Sequence, residues 1–199
     1  MNSQERPKLV LASRSPRRRE LLTLAGYDFD VVVPDDAAEC GVCSRETPEK
    51  LVARLARQKA ANVVPKISRG LVLGCDTVVE CNGQILGKPA DEVHARQMLQ
   101  MLSGRDHRVL SGLCLWNVPG GNPLVRVAVT RLRMDRLSAM EIDDYLASGL
   151  WEGKAGAFGY QDRLSWVHVV EGSETNVVGL PIELLEAMLE TGREGQNDE

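Results

Sequence analysis

The sequence predicts an α/β protein with a mixed, twisted sheet flanked by helices and a ligand cleft at the strand ends. Three observations carry this. Apolar runs alternate with stretches of helical periodicity in the first half, where "KLVLA" (8–12), "FDVVVP" (29–34) and "GLVLGCDTVVE" (70–80) are the strand candidates. The second half sets two longer strand-like runs on either side of the turn-prone "PGGN", which adds antiparallel pairing. At 199 residues and 43% hydrophobic, the chain is long enough for one buried core. A single domain over 1–192 is expected, with the polar tail 193–199 disordered.

Each element has a local cause. "KLVLA" is a buried strand that ends at a Ser-Pro pair. Ser15 is placed to cap the next helix, with Pro16 at its first position, Leu21, Leu22, Leu24 and Ala25 as its buried stripe and Gly26 as its stop. Thr47-Pro48 opens a longer helix to about Val63, on which Val52, Leu55, Ala56 and Val63 recur at helical spacing. The central strand 70–80 turns at Asn82-Gly83 into "QILG". Asp91 caps a helix bearing Val93, Met98, Leu99 and Leu102. "RVLSGLCLWNV" and "PLVRVAVTRLRM" are strands, and Ser138 with Glu141 forms a capping box for a helix that ends at Gly149. The Gly-rich "EGKAGAFGYQD" leads to a strand at 165–172, and Pro181 opens a last helix through Leu184, Leu185, Met188 and Leu189.

Composition excludes several classes. A net charge of −4 argues against general attraction to nucleic acid or anionic lipid. No apolar run approaches the roughly 20 residues of a membrane span, and the start "MNSQERPK" lacks the apolar core of a signal peptide, so a cytoplasmic protein is expected. Five cysteines, at 40, 43, 75, 81 and 114, fit reduced thiols better than a disulfide framework. Cys40 and Cys43 form a lone C-x-x-C in a loop with no second pair, and are assigned no chemistry.

Three features point to a phosphate-binding site. Arg17, Arg18 and Arg19 stand in the first turn of a helix, where the unpaired N–H groups already carry positive charge and cations are unfavourable. A bound anion reconciles this, with Arg17 nearest the turn; Arg18 and Arg19 read equally well as solvent-facing. Asp76 interrupts an apolar strand and needs a cation, turn N–H groups or a crevice. Lys59, one turn beyond Leu55, and Lys88, in the turn "LGKPAD", are cations of the kind that neutralise phosphoryl charge beside such an acid. No G-x-x-x-x-G-K-[ST] is present. The loop at 153–159 reads either as a flexible surface loop or as one that lets backbone approach a planar ligand, with Gln161 able to present an amide to a base edge.

"LASRSPRRRELL" (11–22), "GCDTVV" (74–79), "ILGKPAD" (85–91), "LSGRDHRV" (102–109), "GKAGAFGYQD" (153–162) and "GSETNVVGLP" (172–181) occur in the order and at about the spacing of the Maf family of nucleotide pyrophosphatases, which the chain resembles over nearly its whole length. The resemblance implies a Maf/ITPase-like fold and hydrolysis of a nucleoside triphosphate to the monophosphate and pyrophosphate, with a divalent cation, Mg²⁺ or Mn²⁺. It places the proton acceptor at Asp76, which also serves as a metal ligand. It places substrate contacts at Ser13, Arg17, Lys59, Thr77, Lys88 and Gln161, of which Arg17, Thr77 and Gln161 match the branch acting on dTTP and UTP. Two departures stand out. The family's acidic pair after the second strand falls near Ala37 and Ala38, so either Asp36 or Glu39 takes over, and Glu39 is the expected metal ligand. Asp162 replaces the usual small residue after the glutamine, which bears on how the base pocket closes.

The implied partner is a nucleoside triphosphate, with neither nucleic acid nor membrane, and a homodimer is left open. Two other readings stand beside this one: a nucleotide-sensing regulator linked to cell division, with which the family was first associated, and a pyrophosphatase preferring modified nucleotides.

Overall fold

The computed structural model describes residues 8–39, 46–162 and 164–194, apart from the side chains of Ala37, Glu39 and 192–194. Cys40, Cys43 and residues 195–199 of the tail lie outside the described residues. Among the described residues, seven strands form one mixed sheet. They are β1 (Leu9–Ala12), β2 (Phe29–Val31), β3 (Gly70–Cys81), β4 (Gln84–Leu86), β5 (Asp106–Val118), β6 (Leu124–Met134) and β7 (Val167–Glu171), and the helices are α1 (Pro16–Leu24), α2 (Pro48–Val63), α3 (Glu92–Leu102), α4 (Ala139–Ala147), α5 (Glu174–Val178) and α6 (Ile182–Glu194). The order across the sheet is β2-β1-β3-β5-β6-β7; β1 runs parallel to β2 and β3, and the pairs beyond β3 are antiparallel. The expected α/β class with a mixed sheet is the one observed.

Alternation along β3 sorts its side chains to two faces. Val72 packs with Val10, Ala12, Ala56, Ala60 and Val63, and Val78 with Leu51, Val52 and Leu110, so this face belongs to α2. On the other face Leu73 and Cys75 pack with Leu180, Leu185 and Met188, while Val79 and Cys81 pack with the helix residues Met98, Leu99, Ile142 and Leu146. Asp76 and Thr77 fall between the clusters on their respective faces. The two polar residues thus break both layers of the core at one level of the sheet.

α2 lies unusually close to the sheet because two strand residues lack side chains. A Cβ at Gly74 would fall on the carbonyl oxygen of Ala56 and lie 3.0 Å from the Cβ of Ala60. A Cβ at Gly112 would fall on the backbone of Val52 and Ala53. Gly112 is the β5 partner of Asp76. The helix cannot move away without leaving Ala56, Ala60 and Val63, all fully buried, over a void.

Two expected stripes are corrected. Leu24 is 84% exposed and Arg18 is buried instead, one turn from Leu22 on the inward face of α1. Val93 is 65% exposed because Ala95, Met98, Leu99 and Leu102, at i, i+3, i+4 and i+7, already fill the inward stripe of α3. The capping expectations hold for Thr47, Asp91 and Ser138, whose side chains accept from Lys50, His94 and Glu141 N–H groups. Ser15 makes no such bond; its own N–H donates to Ser13 Oγ at 3.2 Å.

His107 sits in the α3–α4 core, 3% exposed, with its ring edge-on to Phe158 at 5.5 Å. Burial pushes its pKa down to about 4.

Two outcomes follow from this packing. Gly112→Ala should lower the free energy of unfolding by about 2–4 kcal/mol, because the new methyl must displace helix backbone; a shifted urea midpoint at constant slope is the measurement. For His107, the folded state takes up its proton less readily than the unfolded chain, so the stability it contributes is complete above pH 6.5 and is lost as pH falls toward about 4. Urea titrations should show that the fall in stability between pH 7 and pH 4.5 is smaller by about 2–3 kcal/mol in His107→Gln than in the parent.

Candidate active site

The site begins as a gap in sheet pairing. Along one edge of β3, β1 pairs with Leu71–Gly74 and β4 with Val79–Cys81. Residues 75–78 of that edge have no strand partner among the described residues, and β1 ends at Ala12 beside the gap. The chain leaving β1 turns through Ser13 into α1, and the cleft opens beyond the carboxyl end of this parallel strand. Its volume is ≈ 400 Å³, within the roughly 300–1,000 Å³ of small-molecule clefts.

Every expected site residue whose side chain is described lines this one cleft: Ser13, Arg17, Lys59, Asp76, Thr77, Lys88 and Gln161. They come from the β1–α1 turn, α2, β3, the β4–α3 turn and the Gly-rich loop. Glu39, the expected second metal ligand, has its side chain outside the described residues. The alternative, Asp36, forms an ion pair with Arg14.

Asp76 points toward α2, where Lys59 Nζ donates to its Oδ1 at 2.6 Å. The lysine and aspartate side chains keep 7% and 14% of their surface. This is the cation that a carboxylate inside an apolar strand requires. Lys59 thus holds Asp76 in place as well as facing the cleft.

Arg18 is the residue that sequence reasoning undervalued. It is 8% exposed, and its guanidinium donates from Nε to Gly179 O at 2.9 Å, from Nη1 to Ser13 Oγ at 3.1 Å and Cys75 O at 2.8 Å, and from Nη2 to Thr77 Oγ1 at 3.2 Å. The bond to Cys75 O satisfies a strand carbonyl in the unpaired segment of β3. Four of the five guanidinium N–H groups are thereby engaged, all by neutral acceptors, so its charge is solvated by the protein but not cancelled. The signal for it was present: Arg18 precedes the buried Leu22 by one helical turn.

Thr77 also bonds to Ser111 Oγ at 2.8 Å and donates to Gly179 O at 3.2 Å. Ser13 is 4% exposed and takes N–H groups from Ser15 and Arg18. Besides lining the cleft, these two orient Arg18. Arg17, half-buried, donates to Gly153 O at 3.1 Å and so joins α1 to the Gly-rich loop. Burial first, and then its neighbour Arg18, hold its pKa below the ordinary arginine value. Lys88 and Gln161 are exposed on the rim.

Lys154 was missed as well. It is 8% exposed, lines the cleft and forms an ion pair with Asp162. No periodicity marks it, because it lies in a loop.

In total the lining carries Arg14, Arg17, Arg18, Lys59, Lys88 and Lys154 against the carboxylates of Asp76 and Glu152. Such a surface suits a multiply charged anion. The described cysteines play no part, since burial raises the pKa of Cys75, Cys81 and Cys114, the last to about 12, and keeps them as thiols.

Comparison with known proteins identifies relatives of the whole chain. The chain is 54% identical over 183 residues to the dTTP/UTP pyrophosphatase of Rhodopirellula baltica, a match spanning 92% of this chain and 81% of that protein. It is 41% identical over 191 residues to the dTTP/UTP pyrophosphatase of Geotalea uraniireducens, with 95% and 97% covered. Among solved structures, the Ham1 protein of Staphylococcus aureus superposes with a TM-score of 0.53 at 14% identity, over 93% of this chain and 99% of that one, a likeness of fold. A family model described as Maf-like protein matches residues 8–192, from the first strand to the last helix and across all of the cleft residues above: the chain belongs to the Maf family.

Proposed function

We propose that this chain is a nucleoside triphosphate pyrophosphatase that hydrolyses dTTP and UTP to the monophosphate and pyrophosphate. The observation that carries the proposal is Asp76, a carboxylate fixed by Lys59 at the open edge of β3, in a cleft whose charged lining is mostly cationic. The 54% identity to a dTTP/UTP pyrophosphatase supports the choice of substrate.

In this reading Asp76 accepts a proton from the water that attacks the α–β phosphoanhydride, while a P–O bond forms to the water oxygen and the anhydride P–O bond breaks. Arg17, Arg18 and Lys88 hold the phosphates and stabilise the charge that develops on the departing pyrophosphate. Lys59 keeps the carboxylate from turning out of line. Gln161 presents its amide to the base: thymine and uracil offer a carbonyl beside an N–H, which one amide matches with a donor and an acceptor.

A divalent cation fits beside Asp76. Among the described residues no group of three or more His, Cys, Asp or Glu side chains could cage one. Mg²⁺ and its like are commonly held by one or two carboxylates together with substrate phosphates, and Asp76 supplies such a carboxylate. Bound there, Mg²⁺ or Mn²⁺ would neutralise phosphate charge as a Lewis acid. The same reading carries a cytoplasmic location and a nucleotide, rather than nucleic acid or membrane, as partner. No described helix is long and apolar enough to cross a membrane.

Pyrophosphate release from a panel of normal and modified triphosphates with Mg²⁺ or Mn²⁺ tests the proposal directly. Release from dTTP and UTP is the expected result; binding without release would favour a nucleotide sensor, and release only from modified nucleotides would move the substrate. Asp76→Asn should lose roughly two orders of magnitude or more in kcat while still binding nucleotide, as measured by equilibrium dialysis. Gln161→Glu should erase most of a roughly ten- to hundred-fold preference for UTP over CTP, with the dependence on metal concentration unchanged.

A further inference from the structure

One buried ion pair ties together the two ends of the Gly-rich loop. Lys154 Nζ donates to Asp162 Oδ2, and the two side chains retain 10% and 9% of their surface. The hydroxyl of Tyr145, on α4, donates to the same oxygen at 3.3 Å. Gly159 lies directly beneath the pair: a Cβ there would collide with both Lys154 Nζ and Asp162 Oδ2, so the side chains close over bare backbone.

The segment enclosed by this pair carries the features that meet a base. Gly156 N donates to Gly87 O at 3.0 Å, which fastens the loop to the turn that bears Lys88. Phe158 is buried and lines the cleft. Gln161 is exposed, but both of its neighbours are tied, Tyr160 through its hydroxyl to Glu174 Oε1 at 2.9 Å and Asp162 to Lys154.

Selectivity makes this fixing necessary. A glutamine amide turned by half a revolution exchanges its donor and acceptor. In that orientation it matches cytosine, which offers an amino donor beside a ring-nitrogen acceptor, as well as the first orientation matches uracil. Which of the two pairings forms depends on where the loop backbone sets the amide against the base, and a loop free to shift would favour neither. We propose that Asp162 is a positioning residue, which by pairing with Lys154 holds the loop backbone that carries Gln161 at one place against the base and keeps Lys154 off the phosphates. This assignment rests on the dTTP/UTP reading above.

The test compares Asp162→Asn, Lys154→Met and the double variant Lys154→Met/Asp162→Leu with the parent. Each single variant strands one buried partner, whereas the double variant removes both charges together and leaves apolar groups in their place. In the nucleotide-free protein, amide exchange at residues 156–161 should quicken by about tenfold or more in each single variant and return toward the parent rate in the double. In steady-state kinetics the single variants should raise KM for dTTP and UTP by roughly five- to tenfold, hold kcat within about threefold and bring the UTP-to-CTP ratio of kcat/KM toward unity, with recovery in the double.

Unchanged exchange and selectivity in both single variants would overturn the proposal. So would a double variant as impaired as Lys154→Met alone, since Lys154 would then be touching substrate itself. If the parent enzyme hydrolyses neither dTTP nor UTP, the substrate reading fails on its own, and exchange still decides the pair: quickening confined to 156–161 upholds the lock, and no change rejects it.

Discussion

The close approach of α2 to the β3–β5 pair is the constraint on which the rest of the molecule depends. Gly74 and Gly112 leave no side chains between helix and sheet, and Ala56 and Ala60 occupy the space against bare strand backbone. At this distance Lys59 spans directly to Asp76, so a short buried ion pair forms without help from a loop. The geometry of the carboxylate is therefore inherited from backbone packing, which is stiffer than any side-chain contact. Were α2 held off by one more methyl layer, the same two residues would sit apart, and each would have to find another partner or reach for water.

The second organising element is the buried guanidinium of Arg18. It joins α1 and the β1–α1 turn just before it to two segments distant in sequence, the unpaired stretch of β3 and the carbonyl of Gly179. Its hydrogen-bond acceptors are hydroxyls and carbonyls, whereas Lys59 and Lys154 face carboxylates. The cations divide into two kinds as a result. Lys59 and Lys154 are largely compensated and set positions. Arg17, Arg18 and Lys88 leave net positive charge at the open strand edge, reinforced by the N–H groups of a helix with no acidic residue in its first turn. Arginines at a helix start, unfavourable in isolation, make sense as half of an interaction whose other half is a polyanion.

The Gly-rich loop supplies the third wall and is bound from several directions: Arg17 on Gly153, Gly87 on Gly156, Glu174 on Tyr160 and Lys154 on Asp162. Loops that carry recognition residues need such support, because a loop has no hydrogen-bond ladder of its own to fix its backbone. The Gly-rich side of the cleft is consequently built from contacts across the sequence, whereas Arg17 and Arg18 come from a single strand–turn–helix unit.

Much of this was legible in the chain. Strand and helix positions followed from periodicity and caps, since Thr47, Asp91 and Ser138 act locally and need no tertiary context. The cleft residues were legible as types: a carboxylate in an apolar strand, a lysine on the apolar side of a helix and a cation in the turn after a strand are each costly unless a partner is near. The sequence by itself determined that these residues must be paired or must meet a ligand, because desolvation penalties are properties of the residue and its local pattern. Only the tertiary structure decided which pairs form. That Lys59 meets Asp76, that Arg18 rather than Leu24 faces inward, and that Lys154 closes on Asp162 depend on how closely elements far apart in the chain approach, and glycines opposite a helix set that distance without leaving any periodic signal to read.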